Sequence, residues 1–216
     1  MADLIVPGIA GVSTTGTDYI TEANWDKFGA ITNPASDPLA AICVTVASRA
    51  IDAHCNRSFY LDATPSTRTY RAEHAHRLEI DDFGTLAGLV VASDTADNGT
   101  FGTTWAATDY KVDPINGLLA GLPWAYTGLR AVGNQLFPHY GWPVRSRVQI
   151  TARWGWPTVP DAVSMACYVL TLDLYGLKEA AYGVVGSAEF GMFRIRQNPQ
   201  VQLLLKEYVR YGVLVG

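Results

Sequence analysis

Two hydrophobic periods divide the chain. Between Pro38 and Ile51 the apolar positions Leu39, Ile42, Cys43, Val46, Ala50 and Ile51 recur three and four residues apart, the spacing of one stripe along a helix. Asp37 can serve as its N-cap and Pro38 suits its first position. Asn56 is a left-handed stop, after which Phe59 can fold back on the last turn. A second helix is expected over about 160–177. Pro160 opens it, Asp161 favours its positive end, and Val163, Ala166, Cys167, Leu170 and Leu174 form its buried face. Asn198-Pro199 repeats the cap-and-proline device ahead of a C-terminal stripe of Val201, Leu204, Leu205 and Tyr208 that ends near Gly212. Near the start, "YITEANWDKFG" predicts a short helix capped by Thr21 and stopped by Gly29, after an extended arm over 1–17.

From about residue 60 to 154 the period shortens to two. "RVQITARW" sends Val148, Ile150, Ala152 and Trp154 to one face and Arg147, Gln149, Thr151 and Arg153 to the other, a half-buried strand. "RTYRAEHAHRLEI" reads as extended, "LAGLVVAS" as a short apolar strand and "SDTADNGTFG" as a polar loop. Asp113-Pro114 and Asn116-Gly117 are turn signals between strand-like flanks. The fold class is therefore α+β. A helical core of two long helices, with short N-terminal and C-terminal helices, carries a β-rich insertion. The expected divisions are an arm (1–17), helical core (18–59), insertion (60–154), helical core again (155–182) and a C-terminal segment and helix (183–216).

"RWGWPTVPDAV", residues 153–163, raises a choice between an aromatic binding site and a corner. Gly155 and Pro157 break the strand after Trp154 and Pro160 starts the next helix, which favours the corner.

Composition narrows the function. The chain of 216 residues has a formal net charge of -4, so no bulk field draws it to phosphate backbones and dedicated nucleic-acid binding is disfavoured. Cys43, Cys55 and Cys167 lie in apolar helical segments without CxxC spacing, as small buried hydrophobes in a reducing compartment would. The N-terminus lacks the basic and apolar regions of a signal peptide, and no apolar run reaches the ~20 residues that cross a bilayer. A soluble protein made in the cytosol is expected.

Chemistry is sparse. No Walker loop, GxGxxG, GxSxG or HExxH occurs. His74 and His76, with Glu79 or Asp81, would make a metal site on one strand face, but the wet side of a strand explains them more simply. Asp81-Asp82 reads equally well as a strand-terminating turn, and His54 as the edge of the core. Cys55 and His54 are adjacent on a helix and point about 100° apart. No catalytic, metal or cofactor residue is assigned, and the chain is not expected to be an enzyme. Trp105, Trp124, Trp142, Trp154 and Trp156 cluster in or beside the β-rich region. They would stack on sugars or bases in a binding module, or fill a small sheet's core and its subunit contacts; the second reading is the simpler.

Three segments together resemble the head–tail connector adaptors of long-tailed double-stranded DNA phages (siphoviruses). The first is "YITEANWDKFG" followed by "ASRAIDAHCNRSF", with Ala47-Ser48, Ile51-Asp52 and Asn56-Arg57-Ser58-Phe59 at the family's positions. The second is "ITARWGWPTVPDAVSMACYVLTLDLY", similar to the junction where an aromatic-glycine strand end leads through Val-Pro into a long helix. The third is the closing "NPQVQLLLKEYVRYGVLVG". The insertion over 60–146 is longer and richer in tryptophan than in the family's short members. The resemblance implies a structural virion protein in the capsid–tail neck. It implies a ring, twelve-fold in the family, on the portal vertex, extending the DNA channel and receiving the next neck or tail protein, a stopper or tail terminator. DNA would pass through without sequence-specific binding, and no cofactor or membrane is implied. On this reading the Gly-punctuated "GVVGSAEFGMFRIRQNP" engages the portal through Phe190, Met192, Phe193, Arg194, Ile195 and Arg196, with Tyr208 and Arg210 of the terminal helix. The same stretch also reads as a plain strand or hairpin. Other readings are a head-completion or tail-terminator component, a glycan-binding β module, and a hydrolase using His74, His76 and Asp81.

Overall fold

The computed structural model describes residues 18–20, 38–139, 147–176, 195–196 and 198–211. They form a mixed α+β structure in two compact units. One is built from the segments ending at Arg57 and resuming at Val159, the other from Ser58–Thr158. The expected short N-terminal helix, the arm over 1–17 and the Asp37 cap lie outside the described residues.

The first unit contains α1 (Pro38–Cys55), α2 (Asp161–Gly176) and α3 (Pro199–Leu205). The face that α1 buries keeps half of the expected stripe: Cys43, Ala50 and Ile51 are buried, joined by Ala40, Val44, Ala47, Ser48 and Cys55, while Leu39, Ile42 and Val46 stay half-exposed. The reason is proximity: small side chains let the two helix axes approach, and the Ser48 hydroxyl lies 3.5 Å from the Cys167 sulfur of α2. Ser48 is tolerated there because it also donates to the Val44 carbonyl at 2.9 Å, as Thr171 does to Cys167 at 2.7 Å. On α2 the five expected positions, from Val163 to Leu174, are all buried. Asn56 ends α1 in the left-handed region, at φ 52. The Asn198 side chain caps α3, accepting from the amides of Gln200 (3.0 Å) and Val201 (3.2 Å), and its Nδ2 donates to Asp173 of α2 at 3.0 Å.

Among the described residues, the strand pairs of the second unit's sheets are antiparallel. Its larger sheet has the order β1-β9-β3-β4, from Ser66–Tyr70, Val148–Ala152, Val90–Ser93 and Thr103–Thr104. The central pairings align Thr67, Thr151 and Val90 in one row and Arg68, Ile150 and Val91 in the next. A second sheet orders β2 (Arg77–Phe83), β8 (Tyr126–Ala131) and β5 (Tyr110–Asp113), and β6 (Leu118–Leu119) pairs with β7 (Leu122–Pro123). Alternation holds on β9, where Val148, Ile150 and Ala152 are buried. They join Tyr70, Leu78, Val91, Leu129 and others in one core fed by both larger sheets.

The run expected to be extended from Arg68 to Ile80 breaks at residues 71–76, where the backbone turns to pair elsewhere. Ala72 bridges His139, and Phe137 donates its amide to the Ala75 carbonyl at 2.8 Å. In "LAGLVVAS" the strand starts only at Val90, because Gly88 takes φ 80 and Leu89 closes a turn onto Leu86 at 3.1 Å.

"RWGW" is a packed corner. Gly155 adopts φ 99 and donates to the Asp82 carbonyl at 2.7 Å. Trp156 is 1 % exposed, meets Phe59 at 5.2 Å and Trp124 at 4.7 Å, and donates its indole N–H to Asp82 Oδ2 at 2.8 Å.

Candidate partner-docking site

Four residues expected to engage a partner are described, and three of them converge on the ends of the long helices. The Arg210 amide donates to the Cys55 carbonyl at 2.8 Å, closing the last turn of α1. Arg196 is exposed and near enough to His54 of the same turn to help burial lower that imidazole's pKa. Tyr208 is half-buried, and burial together with the Asp161 carboxylate at the start of α2 raises its phenol. Ile195, the fourth, is fully buried in the first unit. Phe190, Met192, Phe193 and Arg194 lie outside the described residues. The C-terminal end of α1 carries partial negative charge, so cationic side chains fit beside it.

A second cluster on the same unit fastens residues 18–20 to α1. Tyr19 donates its amide to Ser48 Oγ at 3.1 Å and its hydroxyl to Asp52 Oδ1. Thr45 Oγ1 donates to Asp18 at 3.0 Å, Arg49 pairs with Asp52 at 3.2 Å, and the Arg49 guanidinium lies 5.7 Å from the Tyr19 ring centre. Thr45, Ser48, Arg49 and Asp52 follow helical spacing, so one face of α1 forms the whole clasp. Burial pushes Asp52 up to about 6, against the opposing pull of Tyr19 and Arg49, and nearby Asp18 adds to the rise; Asp18 is itself raised by burial. The protonated acid thus fits the folded state better than the carboxylate. The stability linked to Asp52 is greatest below its ordinary pKa of 3.8 and is lost as pH rises through about 6. The loss is on the order of 2–3 kcal/mol. Asp52→Asn should flatten the stability difference between pH 4 and pH 7.5 by about that amount in urea titrations. An unchanged pH slope would show that Asp52 is not its source.

The residues weighed for chemistry are not brought together. His74 and His76 sit in the turn between β1 and β2, not on one strand face. Asp81 and Asp82 are both inside β2, which corrects the expected strand-terminating turn. Alternation sends them to opposite sides. Asp81 accepts from Arg68 (2.7 Å) and Tyr70 (2.8 Å), while Asp82 is buried under Trp156. No group of three metal-ligating side chains occurs among the described residues. All three cysteines are buried, and desolvation pushes the thiols of Cys55 and Cys167 up to about 12, where neither is a nucleophile at neutral pH.

Three of the described tryptophans, Trp105, Trp154 and Trp156, are buried in the second unit. Trp105 stacks on Phe137 at 4.5 Å and donates to Ser93 at 3.1 Å. Trp154 donates to the Ser66 carbonyl at 3.0 Å beneath the Arg68 guanidinium. With Trp156 also buried, these three rings offer no open face for a sugar or a base. Trp142 lies outside the described residues.

No protein-family profile and no curated protein sequence matches the chain. Solved structures do. A chain in the neck of an empty GTA particle, computed with C6 symmetry, superposes with a TM-score of 0.51 at 19 % identity, over 92 % of this chain and 93 % of that one. This chain shares the fold of that chain. Two further likenesses are to the neck of a native GTA particle computed with C12 symmetry (TM-score 0.46, 17 % identity, 83 % and 86 % covered) and to the virion of a native gene transfer agent particle (0.42, 18 %, 86 % and 95 %). The likeness takes in the β-rich second unit, because the match runs over nearly the whole of both chains.

Proposed function

We propose that the chain is a structural virion protein of the capsid–tail neck, the head-to-tail adaptor. It forms a ring on the portal vertex, extends the DNA channel and receives the next neck or tail protein. The observation that carries this reading is the end-to-end match of the fold to a chain in the neck of a GTA particle computed with C6 symmetry. The sequence resemblance to connector adaptors points to the same place and supplies the copy number, twelve. The net charge of -4 suits a channel wall that must let DNA slide, since a basic lumen would hold phosphates at many points. Portal docking falls to the segment carrying Phe190, Met192, Phe193, Arg194 and Arg196, set by the buried Ile195 and flanked by Tyr208 and Arg210 beside the end of α1. The protein works by binding and needs no catalytic group.

The test is co-sedimentation of the purified chain with portal rings of the same particle, followed by electron microscopy of the pellet. A second tier of density with the portal's symmetry is the expected result. Phe193→Ala with Arg194→Ala should weaken it at least about tenfold. Portals that pellet alone would overturn the adaptor position and bring forward a head-completion or tail-terminator role.

A further inference from the structure

The clasp between residues 18–20 and α1 is uneven in charge. Tyr19 and Ile20 are 3 % and 4 % exposed, so the segment lies packed as a strap. It brings the Asp18 carboxyl to a helix that already carries Asp52, and the two are close enough for the charge of one to act on the other. Few other titratable groups face them. The strap adds the Tyr19 hydroxyl, α1 the Arg49 guanidinium and the Cys55 thiol, and α2 the Cys167 thiol. Both thiols stay protonated at neutral pH, since burial pushes them up to about 12. Two carboxyl groups therefore share one cation.

The hydrogen bonds are uneven as well. Asp52 accepts from the Tyr19 hydroxyl at one oxygen and meets Arg49 at the other, 3.2 Å away. Asp18 accepts from Thr45 at Oδ2, but its Oδ1 is buried and has no hydrogen-bond partner among the described residues. A buried carboxylate oxygen without a donor is costly when charged, and a second anion close by adds repulsion. Two changes relieve both costs. A proton can sit on the pair, or the strap can leave and return both carboxylates to water.

We propose that residues 18–20 are a strap that closes on α1 when the Asp18–Asp52 pair holds a proton and opens when the pair is fully ionised. The proton belongs to the pair and is not assigned to one residue. The helices need not part when the strap leaves, because the contact between Ser48 of α1 and Cys167 of α2 does not run through it. The device belongs to the single chain and stands apart from the neck reading.

Burial raises both carboxyls, in keeping with the geometry. With Asp52 at about 6 under the closed strap and at its ordinary 3.8 in water, closure is strongest below 3.8 and weakens as pH rises through about 6. Opening should grow about tenfold between pH 5 and pH 7.5 from Asp52 alone, and Asp18 adds to it. A clasp held only by one acid and one base has the opposite slope, since it tightens as its carboxylate ionises.

Amide hydrogen exchange of the full chain, read by NMR at pH 5 and pH 7.5 and corrected for its intrinsic pH dependence, tests the device. The Tyr19 amide, bonded to Ser48 Oγ at 3.1 Å, reports the strap, and the Ile51 amide reports α1. Protection of Tyr19 should fall about tenfold or more between the two pH values while staying below that of Ile51 at both. D18N/D52N, checked by circular dichroism, should show the same Tyr19 protection at pH 5 and pH 7.5. Tyr19 protection that is constant or rises with pH in the natural chain would overturn the strap, whether or not the double variant folds. Equal protection of Tyr19 and Ile51 at both pH values would also overturn it, because the segment would then leave only on global unfolding. A tenfold fall retained in D18N/D52N would place the proton elsewhere and remove the pair's role.

Discussion

Gly155→Ala will unfold the second unit or lower its melting temperature by about 10 °C or more, a loss on the order of 4 kcal/mol. Two independent penalties meet at this residue. Its φ of 99 lies where side chains are strained, and a Cβ there would sit 1.7 Å from the Tyr60 carbonyl oxygen. That obstacle is backbone, itself fixed by the 2.8 Å bond from Asp62 N–H to the Trp154 carbonyl, so it cannot swing aside. Gly99→Ala is the matched control. Gly99 has φ 82 but nothing within 4 Å of an added Cβ, so it tests strain alone and should cost about 1 kcal/mol. Equal losses in thermal melts would show that the Tyr60 clash is relieved, contrary to expectation.

The second large effect is at Trp156. Trp156→Ala should cost about 4 kcal/mol by urea denaturation. It removes a fully enclosed ring from between Phe59 and Trp124 and takes a donor from Asp82, a carboxylate only 6 % exposed. Trp156→Phe keeps most of the ring and loses only the N–H, so about 1–2 kcal/mol is expected. A Phe variant as unstable as the Ala variant would mean that the hydrogen bond, not packing, dominates.

These two residues show what a sequence discloses. That "RWGW" is a corner was legible from Gly and Pro placement, since backbone punctuation is local. The partners of that corner were not, because Tyr60 and Asp82 reach it across long stretches of chain. Helix ends were legible for the same local reason, as at Asn56 and Asn198. The buried face of α1 was misjudged because periodicity scores hydrophobicity, whereas the helix contact selects for smallness at Ala40, Ala47 and Ser48. Leu118, Leu119 and Leu122 read as strand-like flanks of turns, and nothing in their pattern announced that they would stand in solvent. Arg196 and Arg210 were proposed for docking on composition. That Ile195 turns inward required the fold.

β9 lies between β1 and β3, and that order has a consequence for how the protein is made. During synthesis both β1 and β3 emerge long before their shared partner. A nascent chain therefore carries two unsatisfied strand edges at once, each a template for mispairing. Arrival of Val148–Ala152 heals both in a single event, and only then can helix α2 follow to meet α1. The chain's last third thus sets the moment at which its first two thirds stop being adhesive.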